Sequence, residues 1–431
     1  MRLFALFIVL CICVPPLLVA YPLDGYKTTG ITRLEHQRLV QADSFQGRAL
    51  PAGAFKSRDE IKLYLTNRRY STLDRLFEVD RDFQKAVDRA MPNLASAVSY
   101  CIMDITPGRK PRYAQRKPEI GYQPGSVGKL AVITGFFCEL ENMFPYSWEK
   151  RQEFLKNTVV RAGDIALPDH HNVPMYDVET GKYVYRAIAP DDEFSLYQWL
   201  DHVLSKSSNG AASVVWREAL LMRQFQQEYP VSQKRANDFL RNTSRSYLAD
   251  MANSVVNEPL LNLGIEEDEW RLGALFTRNG KIQIPGKGGS TGTPIGLMKW
   301  MVALESGEIM DIPTSNELKR LMYMTDRRIR YAKSSALDTA AVYFKSGSFY
   351  KCDRNRDPDC KKYAGNVYNY MNSIAIVEQP DNTVYLVSLM SNVLNYNSAY
   401  EHYTMARQIN NAIYNTADDA EEYAKDAPEL Y

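Results

Sequence analysis

The 431-residue sequence has little net charge and few histidines. Its formal net charge is +1, whereas binding to nucleic-acid phosphates usually demands a clear basic excess, so the composition argues against a nucleic-acid partner. The 5 histidines show no metal-ligand spacing, and Asp169-His170-His171 is interpreted as a polar loop. No internal repeat occurs, which disfavours a solenoid. We therefore expect a globular protein with a large core, with no metal and no organic cofactor.

Long apolar runs are also scarce, and the exception is the N-terminus. Arg2 precedes an apolar stretch over residues 3–14, and Leu18-Val19-Ala20 offers a small residue before a cut. Pro15 and Pro16 would interrupt a membrane-spanning helix, which leaves an uncleaved anchor as the alternative. The sequence predicts a signal peptide over residues 1–20, export to the periplasm or beyond the cell, and no membrane span after cleavage.

Cysteines are few, and two of the 6 lie in the predicted signal peptide. Cys352 and Cys360 flank a polar stretch typical of a hairpin loop, which a disulfide can close in an oxidising compartment. Metal binding is the alternative, but there is no Cys-x-x-Cys pair and no histidine nearby. We predict that Cys101 and Cys138 are buried and inert.

The pattern along the rest of the chain divides it into three parts. Residues 21–93 form a polar extension with predicted helices at 57–66 and 80–91, and residues 416–431 form an acidic tail. Residues 94–415 carry the main domain, with strands predicted at 95–105, 112–115, 339–344, 367–378 and 383–391 and helices after Ser126, at 195–204, 293–307, 315–324 and 399–414. The order is a hairpin, many helices and then a sheet.

Ser126 and Lys129 form a Ser-x-x-Lys pattern at the start of the most apolar helix of the sequence. A serine hydroxyl is a weak nucleophile that needs a base within reach, and residues three apart share one face of a helix. A lysine can serve as that base only as a neutral amine. The pattern also occurs elsewhere, but only Ser126 follows a Gln-Pro-Gly turn and lies at a helix N-terminus, where N–H groups can stabilise an oxyanion.

Two further short patterns follow Ser126 in the chain. Ser207-Ser208-Asn209 is a Ser-x-Asn triplet just after a predicted amphipathic helix, and Lys345-Ser346-Gly347 lies in a predicted strand. Each triplet alone is more often a turn or a solvated strand end. Together with Ser126 they appear as helix start, helix–helix turn and strand, which is the set that characterises β-lactamases and penicillin-binding proteins.

The region from about 94 to 415 therefore resembles a class A β-lactamase or serine transpeptidase domain. Further matches are Asn209-Gly210-Ala211-Ala212, the helix from Thr293-Pro294 to Gly307, and Glu258-Pro259-Leu260-Leu261-Asn262, which resembles the Glu-x-x-Leu-Asn pattern of that family's omega loop. Ser208 departs from the family's usual aspartate. The resemblance implies an α/β (α+β) fold, in which an antiparallel sheet flanked by helices packs against a mainly helical subdomain.

The resemblance also implies roles for nine residues. Ser126 would form an acyl-enzyme with an amide or β-lactam substrate, Lys129 would help to deprotonate it, and Ser207 would relay a proton to the leaving nitrogen. Lys345 would attract the substrate carboxylate, and Glu258 would position the water that releases the acyl group. The substrate amide would be held by Asn209, Ser346, Gly347 and Ser348, with the N–H groups of Ser126 and Ser348 forming the oxyanion hole.

Several alternative functions stay open, and two others are disfavoured by single residues. A penicillin-binding D-Ala-D-Ala peptidase, an esterase acting on cell-wall peptides, and a non-catalytic binding protein would share this pattern. The substrate therefore stays open between a β-lactam, a peptidoglycan peptide and a small ester. A phosphate loop at residues 125–129 would need Ser or Thr where Leu130 stands. An α/β-hydrolase elbow would need glycine where Pro124 stands.

Overall fold

The computed structural model describes residues 23–48, 50–66, 77–91, 97–323 and 328–416. The predicted signal peptide at 1–20 and the acidic tail beyond residue 416 lie outside the described residues. None of the helices in the described ranges combines the length and apolar character needed to cross a bilayer.

The two ends of the main domain contain the long strands, and its middle is mainly helical. The strands are β1 (Val98–Asp104), β2 (Arg112–Arg116), β3 (Val159–Arg161), β4 (Asn172–Tyr176), β5 (Tyr183–Ala187), β6 (Glu193–Ser195), β7 (Trp270–Arg271), β8 (Thr291–Gly292), β9 (Ala341–Lys351), β10 (Tyr368–Glu378) and β11 (Val384–Asn392). The helices are α1 (Tyr26–Thr29), α2 (Thr32–Gln41), α3 (Arg81–Ala90), α4 (Lys129–Met143), α5 (Trp148–Asn157), α6 (Leu196–Ser205), α7 (Asn209–Phe225), α8 (Gln233–Asn242), α9 (Arg245–Asn262), α10 (Arg278–Gln283), α11 (Pro294–Ser306), α12 (Ile312–Met322) and α13 (Ala399–Asn415).

A five-stranded antiparallel sheet in the order β2-β1-β11-β10-β9 forms the centre of the molecule. Its central strand β11 is buried along eight of its nine residues, because helices cover both faces. One face packs against α3 and α13, through residues such as Phe83 and Ile409. The other face packs against the helical region around α4 and α11. The predicted α+β architecture is confirmed.

Helix α4 lies in the middle of the helical region, in contact with α7 and α9. Its apolar residues are buried on all sides, as expected for a helix that is hydrophobic nearly all round. At Gly135 a Cβ atom would lie 2.3 Å from the carbonyl oxygen of Val255, so the close approach of α9 requires glycine there. This packing fixes the start of α4, where Ser126 and Lys129 lie.

The N-terminal extension packs on both parts of the molecule. Arg33 of α2 makes a two-pronged, buried ion pair with Asp201 of α6, with both N···O distances at 2.6 Å. Helix α3 packs on β2 and α13. The extension therefore contributes to the same hydrophobic clusters as the main domain.

The predicted helix at 57–66 is wrong, although its N-terminal signal is present. Ser57 and Glu60 form a capping box, but only a 3₁₀ turn at Arg58–Glu60 follows, and Ile61 is extended. The backbone then bonds to α11 and α12: Leu65 N–H donates to Glu305 O, and Lys62 O accepts from Lys319 Nζ. Tertiary partners therefore replace the intrahelical hydrogen bonds.

The remaining predicted elements are confirmed, with shifted ends. Strand β9 runs to Lys351 instead of ending at residue 344, because it pairs with β10 along its whole length. Helix α12 begins at Ile312 rather than Ser315, with Asp311 as the N-cap. The predicted disulfide joins Cys352 to Cys360, and Cys101 is buried while Cys138 is partly exposed.

Candidate active site

Ser126 lies in a 3₁₀ turn, Gly125–Gly128, that leads directly into α4. Gly125 has φ = 55°, in the left-handed region that glycine adopts readily. The preceding turn is held by Asn372 of β10, whose Nδ2 donates to the carbonyl oxygens of Gln123 at 2.9 Å and Pro124 at 3.1 Å. The serine is therefore presented by a turn that is anchored to the central sheet.

Strand β9 approaches this turn so closely that only glycine fits at position 347. A Cβ atom on Gly347 would lie 2.2 Å from Pro124 O and 2.9 Å from Ser126 N, well inside contact distance. A Cβ atom on Gly125 would lie 2.9 Å from Ser348 N. The backbone N–H groups of Ser126 and Ser348 are thus brought to one place, as an oxyanion hole requires.

Lys129 is fully buried, and its Nζ contacts three residues of the site. It lies 2.9 Å from Ser126 Oγ, 2.7 Å from Asn209 Oδ1 and 2.6 Å from the carbonyl oxygen of Ser207. These contacts put the amine within proton-transfer distance of the Ser126 hydroxyl.

Ser207 lies between α6 and α7 and bridges the two lysines. Its Oγ accepts a hydrogen bond from Lys345 Nζ at 2.7 Å and lies 3.4 Å from Lys129 Nζ. Its φ of 60° is unusual for a residue with a side chain, and such strain is found at functional sites. The order Ser126, Lys129, Ser207, Lys345 is therefore a continuous chain of polar contacts.

A carboxylate from another segment supports the Ser-x-Asn triplet. Asp169, whose side chain is buried, accepts from Ser208 Oγ at 2.6 Å and from Gly210 N at 2.9 Å. Ser208 in turn caps α7 by accepting from Ala211 N. Ser208 is the position at which the sequence departs from the family's aspartate, so a carboxylate reaches this loop from position 169 instead.

The same carboxylate orients His171, whose ring lines the cleft. Asp169 Oδ1 lies 2.6 Å from His171 Nδ1. Burial raises the pKa of Asp169, but hydrogen bonds from His171, Ser208 and Gly210 outweigh it and lower that pKa to about 2. Burial lowers the pKa of His171, as does the charge of Lys129, against the opposing effect of Asp169.

The contributions of Asp169 and His171 were not predicted, since Asp169-His170-His171 was interpreted as a polar loop. Arg330 was not predicted either; it lines the cleft and donates to Gly347 O at 3.0 Å and Ser348 Oγ at 3.1 Å. No short motif marks these residues. The signals available were a carboxylate two positions before a histidine and the absence of the family's aspartate at position 208.

Glu258 does not lie in the cleft, and its interpretation as part of an omega loop is wrong. The Glu-x-x-Leu-Asn pattern falls within helix α9, where Glu258 is 55% exposed and pairs with Arg223 at 2.8 Å. Arg223 also pairs with Glu139, which lies ten residues beyond Lys129 in α4 and therefore about 15 Å along that helix. Of the pattern's apolar residues, Pro259 and Leu260 are buried in the packing of α9, whereas Leu261 is exposed.

The loop that follows α9 covers the other side of Lys129 with apolar groups. The centroid of the Phe276 ring lies 5.0 Å from Lys129 Nζ. The Leu272 side chain packs against Gly128. Asn257, the neighbour of Glu258 on α9, holds this loop through the N–H and carbonyl of Leu272, both at 2.9 Å. Within the described part of the chain, the side chains lining the cleft include no aspartate or glutamate.

A family model described as the beta-lactamase enzyme family matches residues 157–417. That is about three fifths of the chain, and it includes Ser207, Asn209 and Lys345. The chain belongs to the beta-lactamase enzyme family. The matched stretch begins after Ser126 and Lys129. These two residues contact the matched part of the chain in the cleft, where Lys129 Nζ lies next to both Ser126 and Ser207.

A solved structure shows the same fold for this β-lactamase family member, and two others are similar at lower TM-scores. A class A beta-lactamase from Bacteroides cellulosilyticus is similar at a TM-score of 0.50 and 15% identity, covering 79% of this chain and 100% of that chain. A beta-lactamase from Chitinophaga pinensis gives a TM-score of 0.48 and 14% identity over 78% of this chain and 100% of that one. PBP-A gives 0.49 and 10%, over 80% and 98%.

Curated proteins, by contrast, give no match to this sequence. Family membership makes the protein a serine hydrolase of the β-lactamase type, as the sequence predicted. The expected class is confirmed.

Proposed function

We propose that this protein is an exported hydrolase that forms an acyl-enzyme on Ser126 with amide or β-lactam substrates. The observation that carries the proposal is the contact of Lys129 Nζ with Ser126 Oγ at 2.9 Å, in a cleft also lined by Ser207 and Lys345. A positioned base beside a serine at a helix start is the arrangement that nucleophilic catalysis needs.

In the proposed reaction, Ser126 Oγ attacks the substrate carbonyl while its proton passes to the neutral amine of Lys129. The negative charge on the carbonyl oxygen is held by the N–H groups of Ser126 and Ser348. Ser207 then relays a proton to the leaving nitrogen as the carbon–nitrogen bond breaks. Its hydroxyl is suited to this role because it contacts both lysines.

The rest of the cleft binds the substrate in this proposal. Lys345 and Arg330 supply positive charge for a substrate carboxylate. Asn209, whose Oδ1 is taken by Lys129, has its amide nitrogen to offer a substrate carbonyl, and Ser346, Gly347 and Ser348 offer the edge of β9. The substrate's amide would extend that edge as an added strand.

In a second form of the proposal, release of the acyl group is slow. The apolar groups on one side of Lys129 favour this form. Glu258 lies away from the cleft, and Phe276 contacts Lys129 from the side of the loop after α9. Without a carboxylate to activate water, an acyl-enzyme persists, as expected of a penicillin-binding peptidase. Peptidoglycan peptides are then the physiological acyl donors.

Export is part of the proposal, on two grounds. The first twenty residues have the composition of a signal peptide. The Cys352–Cys360 disulfide requires an oxidising compartment to form and persist.

Labelling with a fluorescent penicillin tests the acyl-enzyme directly. The mature chain should give a covalent band on a denaturing gel, and Ser126→Ala should give none while keeping its melting temperature. Equal labelling of Ser126→Ala would contradict the proposal, as would absence of label in the natural protein with several acyl substrates.

A further inference from the structure

The peptide unit between Gly347 and Ser348 of β9 is held by the side chain of Arg330. Its N–H group, on Ser348, is a donor of the proposed oxyanion hole. Arg330 Nη1 donates to its C=O group, on Gly347, at 3.0 Å, and Arg330 Nη2 donates to Ser348 Oγ at 3.1 Å. In a planar trans peptide, the C=O and N–H bonds point in opposite directions. A side chain that fixes the carbonyl therefore also fixes the direction of the N–H group.

The contact with Arg330 also makes this N–H group a better donor. A hydrogen bond from a guanidinium is charge-assisted and stronger than one between neutral groups. Hydrogen bonds along one chain of polar groups polarise one another, so the bond to Gly347 O strengthens the bond that Ser348 N–H donates. This effect needs the contact between Arg330 and Gly347 O, whatever other groups Arg330 binds.

The ring of Tyr363 connects Arg330 to the same strand. Arg330 Cζ lies 5.3 Å from the centroid of this ring, within the range of a cation–π contact. The ring also packs edge-on against Tyr350, with centroids 5.6 Å apart and planes at 69°. Tyr350 follows Ser348 by two residues, so their side chains lie on one face of β9. Arg330 thus lies between Tyr363 and the strand whose peptide it fixes.

The backbone at Arg330 and Tyr363 adopts a conformation that is uncommon for residues with side chains. Arg330 has φ = 51° and Tyr363 has φ = 62°, and both residues line the cleft. Ser207, the proposed proton relay, lines the same cleft with φ = 60°. Residues held in such conformations cluster at functional sites, where the surrounding structure enforces them. The shared strain favours a role for Arg330 and Tyr363 in the reaction.

The loop between β9 and β10 presents Tyr363 to the cleft. The Cys352–Cys360 disulfide closes the first part of this loop. Asn366 closes the second part, because its Oδ1 accepts from Asp353 N at 2.7 Å and its Nδ2 donates to Asp353 O at 2.9 Å. Tyr363 lies between these two links in the chain, so the loop limits the positions that its ring can adopt.

We propose that Arg330 and Tyr363 are positioning residues of the oxyanion hole. The β9–β10 loop places Tyr363, the Tyr363 ring places Arg330, and Arg330 sets the direction of the Ser348 N–H group. This inference rests on the proposed function and goes beyond the charge that Arg330 supplies to a substrate carboxylate. It assigns part of the acylation rate to a loop that follows the Lys345-Ser346-Gly347 triplet.

Acylation by a substrate without a carboxylate tests Arg330 in this role. The probes are benzylpenicillin and its methyl ester, which has no carboxylate for Arg330 to attract. Arg330→Gln should lower the rate constant for acylation by the ester about tenfold, because the oxyanion loses part of its stabilisation. Acylation by the ester at the natural rate would overturn the inference and leave Arg330 with its role toward a carboxylate alone.

Lys362→Ala is the matched control for this charge. Lys362 is exposed, and its Nζ lies 5.1 Å from the centroid of the same Tyr363 ring. Its removal should leave acylation by the ester unchanged. A drop as large as that in Arg330→Gln would show a general effect of charge near the cleft and would overturn the inference.

Variants of Tyr363 test the contribution of the ring. Tyr363→Leu removes the aromatic face from Arg330 and should slow acylation by the ester about fivefold, whereas Tyr363→Phe keeps that face and should acylate at the natural rate. Tyr400→Leu, at an exposed tyrosine on α13, is the control for the substitution itself. Melting temperatures check that each variant is folded. Equal slowing in Tyr363→Phe, or the natural rate in a folded Tyr363→Leu protein, would overturn the role of the ring.

The carbonyl stretch of the acyl-enzyme reports on the oxyanion hole directly. Donors in the hole polarise the ester carbonyl and lower its infrared frequency. Arg330→Gln and Tyr363→Leu should therefore shift the band to higher wavenumber, while Lys362→Ala should leave it in place. An unshifted band in both folded variants, with Ser126 still acylated, would overturn the inference and leave the acyl-enzyme intact.

Hydrogen exchange of β9 separates failure of this inference from failure of the proposed function, because it needs no acylation. The N–H group of Ser348 should exchange faster in Arg330→Gln and Tyr363→Leu than in the natural protein. If the natural protein forms no adduct while exchange still rises in both variants, the proposed function fails and the positioning of Ser348 stands. Unchanged exchange in both variants would overturn the positioning, whatever the acylation rates.

Discussion

The two sides of Lys129 differ in chemistry, although both belong to one helical region. On one side lie Ser207 and Asn209, whose neighbours Ser208 and Gly210 donate hydrogen bonds to the buried carboxylate of Asp169. On the other side lie Phe276 and the apolar loop that Asn257 holds. In the proposed reaction Lys129 is the base, and the proton relay, Ser207, belongs to the polar side. Hydrolysis of the acyl group needs activated water, and among the described residues the apolar side places no carboxylate in the lining of the cleft.

The largest effect is expected from removing the amine of Lys129. Lys129→Met keeps the volume of a buried side chain but deletes the base, so acylation by penicillin should fall about 1000-fold or more. Stopped-flow acylation rates measure the loss, and circular dichroism checks that the variant is folded. Normal acylation in a folded Lys129→Met protein would remove the lysine from the mechanism.

Gly347→Ala should lower the acylation rate about 100-fold, because its Cβ would push β9 away from Pro124 and separate the two oxyanion N–H groups. The rate constant for labelling by a fluorescent penicillin measures this. Gly289→Ala is the control, since a Cβ atom there meets nothing within 4 Å. Unchanged labelling of Gly347→Ala would show that the close approach is dispensable.

Asp169→Asn should slow acylation about tenfold, since Ser208 and Gly210 lose the charge that positions the triplet. Its stability effect depends on pH. Because the pKa of Asp169 is lowered in the folded state, its stabilisation of about 2 kcal/mol is complete above pH about 4 and is lost as pH falls toward 2.

Chemical denaturation at several pH values measures this difference, with Asp238→Asn as an exposed control on α8. The gap between Asp169→Asn and the natural protein should be widest near neutral pH and should close in acid. A gap that stays constant from pH 7 to pH 2 would contradict the assigned charge.

The smallest effect is expected on the outer face of α9. Glu258→Gln removes a half-exposed ion pair with Arg223 and should change both acylation and release less than about twofold. Release is followed by loss of a preformed fluorescent adduct. A large slowing of release in Glu258→Gln would restore Glu258 as a deacylation residue.

The sequence predicted the polar side better than the apolar side for a physical reason. Ser126 and Lys129 are three residues apart on one helix, so their contact follows from local geometry. Ser207 and Lys345 lie in triplets whose element types were readable from helix caps and strand patterns. The prediction failed at Glu258, because a five-residue pattern carries no information on whether α9 continues through it.

The long-range polar contacts of the site could not be predicted from the sequence either. Asp169 reaches the triplet across 39 positions, and Arg330 reaches β9 across 17. The wrong prediction of a helix at 57–66 has the same cause, because the backbone of this segment forms hydrogen bonds with Glu305 and Lys319 instead of intrahelical ones. Local signals gave the elements, whereas tertiary contacts decided their ends and the partners of buried polar groups.

The most direct test of the comparison is intact-protein mass spectrometry after mixing with benzylpenicillin and then removing the excess. The slow-release form of the proposal predicts one acyl adduct per molecule, located on Ser126, that persists long after the free antibiotic is gone. Rapid catalytic hydrolysis of benzylpenicillin without accumulation of an adduct would contradict slow release, because water would then be activated in a cleft whose described lining residues include no aspartate or glutamate.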